Sequence, residues 1–319
     1  MALLTGLFGG AKGPRQRTAG IEDRVLGESL HARPFPHLIA DDVLPAHVLD
    51  DMLQNWPDVS CFETEVPGNY VCNPRVLAGD GTSRPEFWRG IAADVAPVLA
   101  RACISRFAEW VMARYGDDFT DVLVGNFSLM QSDRTYPGHP CHAHHWHDPL
   151  WIMTALLYID ADPGGQQGTT LNAFVIPGGV DAADYAARFA AEKPTASTWH
   201  GSTWDPSQDM SELRTSEYKA NRLVAFLDSP ISYHSVRPVP PGTYGARRLL
   251  RMHLGAPWSY CESLYGVSYQ EYRAKRELAT DDPQVIGWLR RDVSQMWATT
   301  PSLSAGARRK WARGLRLDF

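Results

Sequence analysis

The chain has 319 residues, 44% of them hydrophobic, and a formal net charge of −5; it can bury a sizeable core and is not a disordered chain. No acidic or basic block is long enough to point to nucleic acid or a membrane surface, and no apolar run approaches the ~20 residues of a transmembrane helix. The five cysteines are odd in number and form no CxxC pair, which argues against a disulfide framework or structural zinc and for a reducing cytoplasm.

Residues 1–33 begin MALLTGLFGGAKGPRQR. The apolar run precedes the basic residues, the reverse of a signal peptide, so a mobile N-terminal tail is expected. PFPHLIADDVLPAHVLDDMLQNWPD then reads as a short strand followed by a helix. Pro45 suits the first turn, and Val48, Leu49, Met52, Leu53 and Trp56 share one face. Residues 85–115 form a second helical region with Trp88, Ile91, Val95, Leu99, Phe107, Trp110 and Val111 on its apolar side. Pro97 breaks or kinks it. Both stripes read as core.

From about residue 121 the texture changes. DVLVGNFSLMQ, IMTALLYI, TLNAFVI, RLVAFLD, ISYHSV and RRLLRMHLG are short, rich in β-branched and aromatic residues, and separated by Gly, Pro or Asp. Strands without regular helices between them predict a mainly β fold with flanking helices, a β-sandwich or jelly roll. A polar insert at 177–217 carries Trp199, His200 and Trp204 and is expected near a site mouth. After 265 the sequence is helical again. The expected organisation is a tail (1–33), one domain (34–265) and a helical extension (266–319).

The chemistry concentrates in CHAHHWHDPLW, where His142, His144, His145, His147 and Asp148 fall within seven residues. Two imidazoles and one carboxylate on one face of an octahedron leave positions for a cosubstrate and dioxygen, the facial triad of non-heme Fe(II) oxygenases. His234 lies far along the chain in an apolar strand, and Arg247 and Arg248 open the strand after it. A guanidinium facing into a barrel needs an anion, and a planar carboxylate accepts two parallel hydrogen bonds from it. A dicarboxylate cosubstrate would chelate iron at one end and pair with arginine at the other. Strand alternation offers two faces, Arg247/Leu249/Arg251/His253 and Arg248/Leu250/Met252/Leu254. The second is more apolar apart from its arginine, so Arg248 is expected inside, with Arg247 as runner-up.

FPHLIADDVLP, YPGHPCHAHHWHDPLWIMTALLYID and KANRLVAFLDSPISYHSVRPV with GARRLLRMHL resemble the 2-oxoglutarate and Fe(II)-dependent oxygenases, in the prolyl-hydroxylase-like branch, over roughly residues 34–57 and 121–256. The resemblance implies a double-stranded β-helix, a His-x-Asp pair, a distal histidine and an arginine on the following strand. It also implies consumption of 2-oxoglutarate and dioxygen, release of succinate and carbon dioxide, and oxidation of an unactivated C–H bond in a small-molecule or biopolymer-attached substrate. His234 takes the distal position, and Arg247 or Arg248 the cosubstrate position.

The proximal pair departs from the pattern, since no histidine here stands two residues before an aspartate. The family's distance to TALLYI favours His145 as first ligand. Three arrangements follow: His145 with Asp148 across a bulge, His145 with His147 in a three-histidine site, or His147 with Asp148 from a turn. The first is preferred. Asp148 would offset one charge of Fe(II), and Pro149 biases it toward extended geometry where a lost ladder bond costs little. His142 and His144 are then expected around the metal rather than on it. Asn126, Ser128, Tyr136, Tyr158 and Tyr233 are candidate cosubstrate contacts. The rival readings are a jelly-roll binding module without iron and a three-histidine dioxygenase that does not use 2-oxoglutarate.

Overall fold

Short apolar runs from position 121 onward produce strands that wind back and forth between two sheets, and this winding creates the site. A computed structural model describes residues 14–73, 84–144, 149–161, 167–192, 210–238, 246–278 and 281–318. The strands are β1 (Leu30–His31), β2 (His37–Ala40), β3 (Glu63–Val66), β4 (Asn69–Cys72), β5 (Asp121–Ser132), β6 (His139–His142), β7 (Trp151–Tyr158), β8 (Gln167–Phe174), β9 (Met210–Glu217), β10 (Leu223–Leu227), β11 (His234–Val236), β12 (Arg247–Gly255) and β13 (Arg316–Asp318). The larger sheet has the order β1-β2-β10-β7-β12-β5-β4-β3, with β13 beside β5; the smaller has the order β6-β11-β8-β9. From β5 to β12 the chain therefore passes repeatedly from one sheet to the other. Mainly antiparallel pairing in this order is the jelly-roll core expected from the strand texture.

The helices are α1 (Pro14–Thr18), α2 (Ile21–Gly27), α3 (Ala46–Gln54), α4 (Pro85–Gly90), α5 (Ala96–Arg106), α6 (Ala108–Tyr115), α7 (Ala182–Glu192), α8 (Tyr260–Tyr265), α9 (Tyr269–Leu278), α10 (Pro283–Ala298) and α11 (Ala305–Gly314). Residues of α3–α6 and α10 pack on the outer face of the larger sheet, while Phe189 of α7 packs against Phe174 and Tyr233. Met153, Ala155 and Leu157 of β7, Leu223, Ala225 and Leu227 of β10, and Leu250, Met252 and Leu254 of β12 join Leu99, Trp88 and Val285 in one apolar cluster. Burial of such side chains stabilises the fold by about 1.5–3 kcal/mol each. Pro97 neither ends nor disrupts its helical region. A π-helical turn, Ile91–Val95, joins α4 to α5 just before it and absorbs the missing N–H. No helix among the described residues is long and apolar enough to cross a membrane.

Three expected boundaries shift. Residues 14–27 are helical rather than a tail, because Ile21 and Val25, one turn apart, are fully buried; Arg17 adds a 2.9 Å ion pair to Asp94. The segment after 265 is continuous with the domain. Trp288, Leu289 and Leu315 sit in the same core, and β13 runs parallel to β5. The region 177–217 contains an amphipathic helix, α7, and an edge strand, β9. Trp199, His200 and Trp204 lie outside the described residues.

Candidate metal centre and cavity

β6 and β11 are short neighbours in the smaller sheet, paired so that His142 stands opposite His234. Gly138 permits the close approach at the start of β6. Its φ is +83°, and a Cβ there would collide with the Val236 carbonyl. The imidazole centroids of His142 and His234 are 4.2 Å apart, and His144 closes the group at 5.1 Å from His142 and 4.6 Å from His234. One potential ligand atom from each of the three lies within 4.8 Å of the others, and all three residues are buried.

Each ring is oriented through Nδ1. His142 Nδ1 is 2.8 Å from the Pro140 carbonyl and His234 Nδ1 is 3.0 Å from that of Ser232. His144 Nδ1 lies 2.9 Å from Thr154 Oγ1 and 3.0 Å from Asp228 Oδ1. Acceptors at Nδ1 place the lone pair on Nε2, the arrangement that metal-binding histidines use. Burial holds His234 down at about 3 and His142 well below the ordinary imidazole value, with neighbouring imidazoles adding to the depression. These rings are neutral near pH 7. Three buried imidazoles, each oriented through Nδ1, suit a borderline divalent ion such as Fe(II).

The cavity extends from this trio across the inner face of the larger sheet. Thr154, Leu156 and Tyr158 of β7 line it, as do Met130 and Ser132 of β5 and Arg247, Leu249, Arg251 and His253 of β12. Arg247 is 3% exposed, with its guanidinium over the Tyr218 ring at 5.4 Å. The expected orientation of the arginine pair is thus reversed. Arg248 points to the other face, near Asp160 at 3.9 Å and over the Trp56 ring at 5.8 Å. The physical reason is that the apolar face of β12 packs on the helices, so the more polar face is the one turned to the cavity. Arg251, also inward, donates to Glu65 at 3.0 Å.

The remaining expectations sort as follows. Tyr158 and Tyr136 line the cavity. The Tyr158 hydroxyl is 3.0 Å from Thr169 Oγ1 and accepts from the Thr169 N–H at 2.8 Å. Gly168 leaves room for that hydroxyl. Ser128 is buried and accepts from Arg251 Nε at 3.3 Å. Tyr233 packs instead between Phe174 and Phe189. Asn126 lies on β5, but its side chain is outside the described residues, as are His145, His147 and Asp148 altogether. What the sequence reading passed over is the pair His142-Ala143-His144. It has the two-residue spacing of His-x-Asp, with histidine standing where aspartate was sought. It also passed over Asp228 and Thr154, whose signal is faint: a single acid after LVAFL, and a single hydroxyl inside an apolar strand.

No protein-family model matches the chain, and no curated protein does. Among solved structures it is similar to a prolyl hydroxylase from Trichoplax adhaerens in complex with a hypoxia-inducible-factor peptide, at 13% identity and a TM-score of 0.42, over 74% of this chain and 89% of that one. It is also similar to a prolyl 4-hydroxylase from Phytophthora capsici, at 12% identity and 0.41, over 91% and 98%. A Pseudomonas putida prolyl-4-hydroxylase matches at 12% identity and 0.35, over 75% and 99%. The likeness concerns the fold; the site stands on its own residues.

Proposed function

We propose that this protein is a mononuclear non-heme Fe(II) oxygenase that takes 2-oxoglutarate as cosubstrate and oxidises a C–H bond of a small-molecule or biopolymer-attached substrate. One observation carries the reading. A buried trio of oriented imidazoles, His142, His144 and His234, and a buried guanidinium, Arg247, face one cavity. The proposal takes those three histidines as iron ligands. It replaces His145 and Asp148, which lie outside the described residues. Iron, when bound, would supply the activation of dioxygen.

The chain's own residues would do the rest. The three imidazoles would hold the ion and leave coordination positions for small ligands. Arg247 pairs with the distal carboxylate of the cosubstrate by charge-assisted hydrogen bonds, and Tyr158 stands in the same wall to orient it. Leu156, Leu249 and Met130 keep that end of the cavity apolar, so the ion pair is screened little by water. The test is anaerobic Fe(II) titration followed by measurement of succinate formed from 2-oxoglutarate. One iron per chain and stoichiometric succinate support the reading; iron binding with no succinate favours the three-histidine dioxygenase that does not use 2-oxoglutarate; absence of iron binding favours the binding module.

A further inference from the structure

Three imidazoles leave both charges of a divalent ion uncompensated, whereas a triad with a carboxylate offsets one of them. Among the described residues, the acid grouped with one of these rings, His144, is Asp228, just after β10 and 2% exposed. Its Oδ1 lies 3.0 Å from His144 Nδ1, and its Oδ2 accepts from Thr154 Oγ1 at 2.8 Å. Thr154 Oγ1 is in turn 2.9 Å from His253 Nδ1. A hydroxyl has one proton to give. With that proton on Asp228, Thr154 Oγ1 is left to accept, from the His253 Nδ1–H and, shared with Asp228 Oδ1, from the His144 Nδ1–H. Every donor in the chain then points toward the carboxylate. His253 is held in place by stacking on Trp151 at 4.5 Å.

We propose that Asp228 is the anionic partner of the metal centre, acting through the imidazole of His144, and that Thr154 and His253 hold it in that position. The proposal rests on His142, His144 and His234 being the ligands. Asp228 is a positioning residue. It fixes the His144 tautomer, strengthens the ring as a donor, and supplies at one remove the negative charge that a directly bound carboxylate would give. A second metal ion bound by His144, Asp228 and His253 is the competing use of these groups. It is disfavoured because Thr154 Oγ1 already lies within hydrogen-bond distance of all three.

The experiment is Co(II) binding by the full chain and by His234→Ala, Asp228→Asn, Thr154→Val and Thr154→Ser, with folding checked by circular dichroism and the Fe(III)/Fe(II) midpoint measured on the iron-loaded forms. The wild type should bind one ion and His234→Ala none. Asp228→Asn should bind about 10- to 100-fold more weakly, the usual effect of losing such a partner, with a raised midpoint. Thr154→Val should fall between, and Thr154→Ser should restore wild-type affinity. Asp228→Asn within twofold of wild type and with an unmoved midpoint overturns the inference while leaving the ligand trio intact. Should Asp228→Asn not fold, equal affinities for Thr154→Val and Thr154→Ser overturn it. Two ions per chain, one lost in Asp228→Asn, would replace it with the two-metal arrangement. A wild type that binds no ion, or a His234→Ala that binds as tightly, removes the ligand trio and this inference together.

Discussion

Two buried polar clusters sit on either side of the larger sheet, and they follow opposite plans. Between the helices, Arg114 donates to the Tyr265 hydroxyl and the Pro149 carbonyl, both at 2.7 Å, and pairs with Asp292 at 3.3 Å; Tyr265 donates to Asp292 at 2.8 Å. That cluster contains its own opposite charges. Inside the barrel, His142, His144 and His234 bring together three imidazoles, with one acid behind His144. Buried polar groups that satisfy one another hold a structure together. Buried imidazoles that converge within 4.8 Å of one another form a donor set that could hold a metal ion. Burial is the same in both places, and the balance of charge separates scaffold from site.

The sharpest test removes one charge from the scaffold cluster. Asp292→Ala leaves the Arg114 guanidinium buried without its carboxylate and should cost about 3–5 kcal/mol of stability, read as a lowered denaturant midpoint, with metal affinity unchanged at low denaturant. His234→Ala should do the converse: metal affinity falls at least ~100-fold, about 2.7 kcal/mol, while the midpoint of the metal-free protein moves by less than ~1 kcal/mol. If His234→Ala instead unfolds the apo protein, the histidine cluster is scaffold too and the contrast fails.

A smaller effect separates the two arginines of β12. Arg247→Ala should raise the 2-oxoglutarate KM by ~30-fold, about 2 kcal/mol, as expected when one partner of a buried charge pair is truncated. Arg248→Ala, on the partly exposed face, should change it less than ~threefold. The reverse ranking would move the cosubstrate out of this cavity. The smallest effect belongs to the surface. Arg222 and Lys219 hold the Asp41 carboxyl down at about 2, chiefly through the Arg222 hydrogen bonds. A carboxyl depressed in the folded state contributes stability that is full above its unfolded value near 4 and is lost as pH falls toward 2. Being one-third exposed, the group should contribute less than ~1 kcal/mol. Asp41→Asn should lower stability by that amount near pH 7, leave it little changed near pH 2, and so flatten the profile between pH 4 and 2.

The local pattern of the chain was enough to set the strands of the jelly roll, because short runs rich in β-branched and aromatic residues, bounded by Gly, Pro or Asp, read out directly as extended structure. It also pointed to His234 and the stretch 142–148, and the structure brings His142, His144 and His234 together. It missed Ile21 and Val25 as core, since two buried residues in a short helix make too weak a period to notice. Three decisions belong to the tertiary structure alone. The pairing of β6 with β11 brings His142 opposite His234, and counting from the neighbouring strand could not supply that register. The packing of helices on one face of β12 turns Arg247 inward and Arg248 away; alternation defines two faces but not which of them meets the core. And Asp228 reaches His144 across 84 positions of chain, a contact made by the winding between sheets and carried by no local pattern.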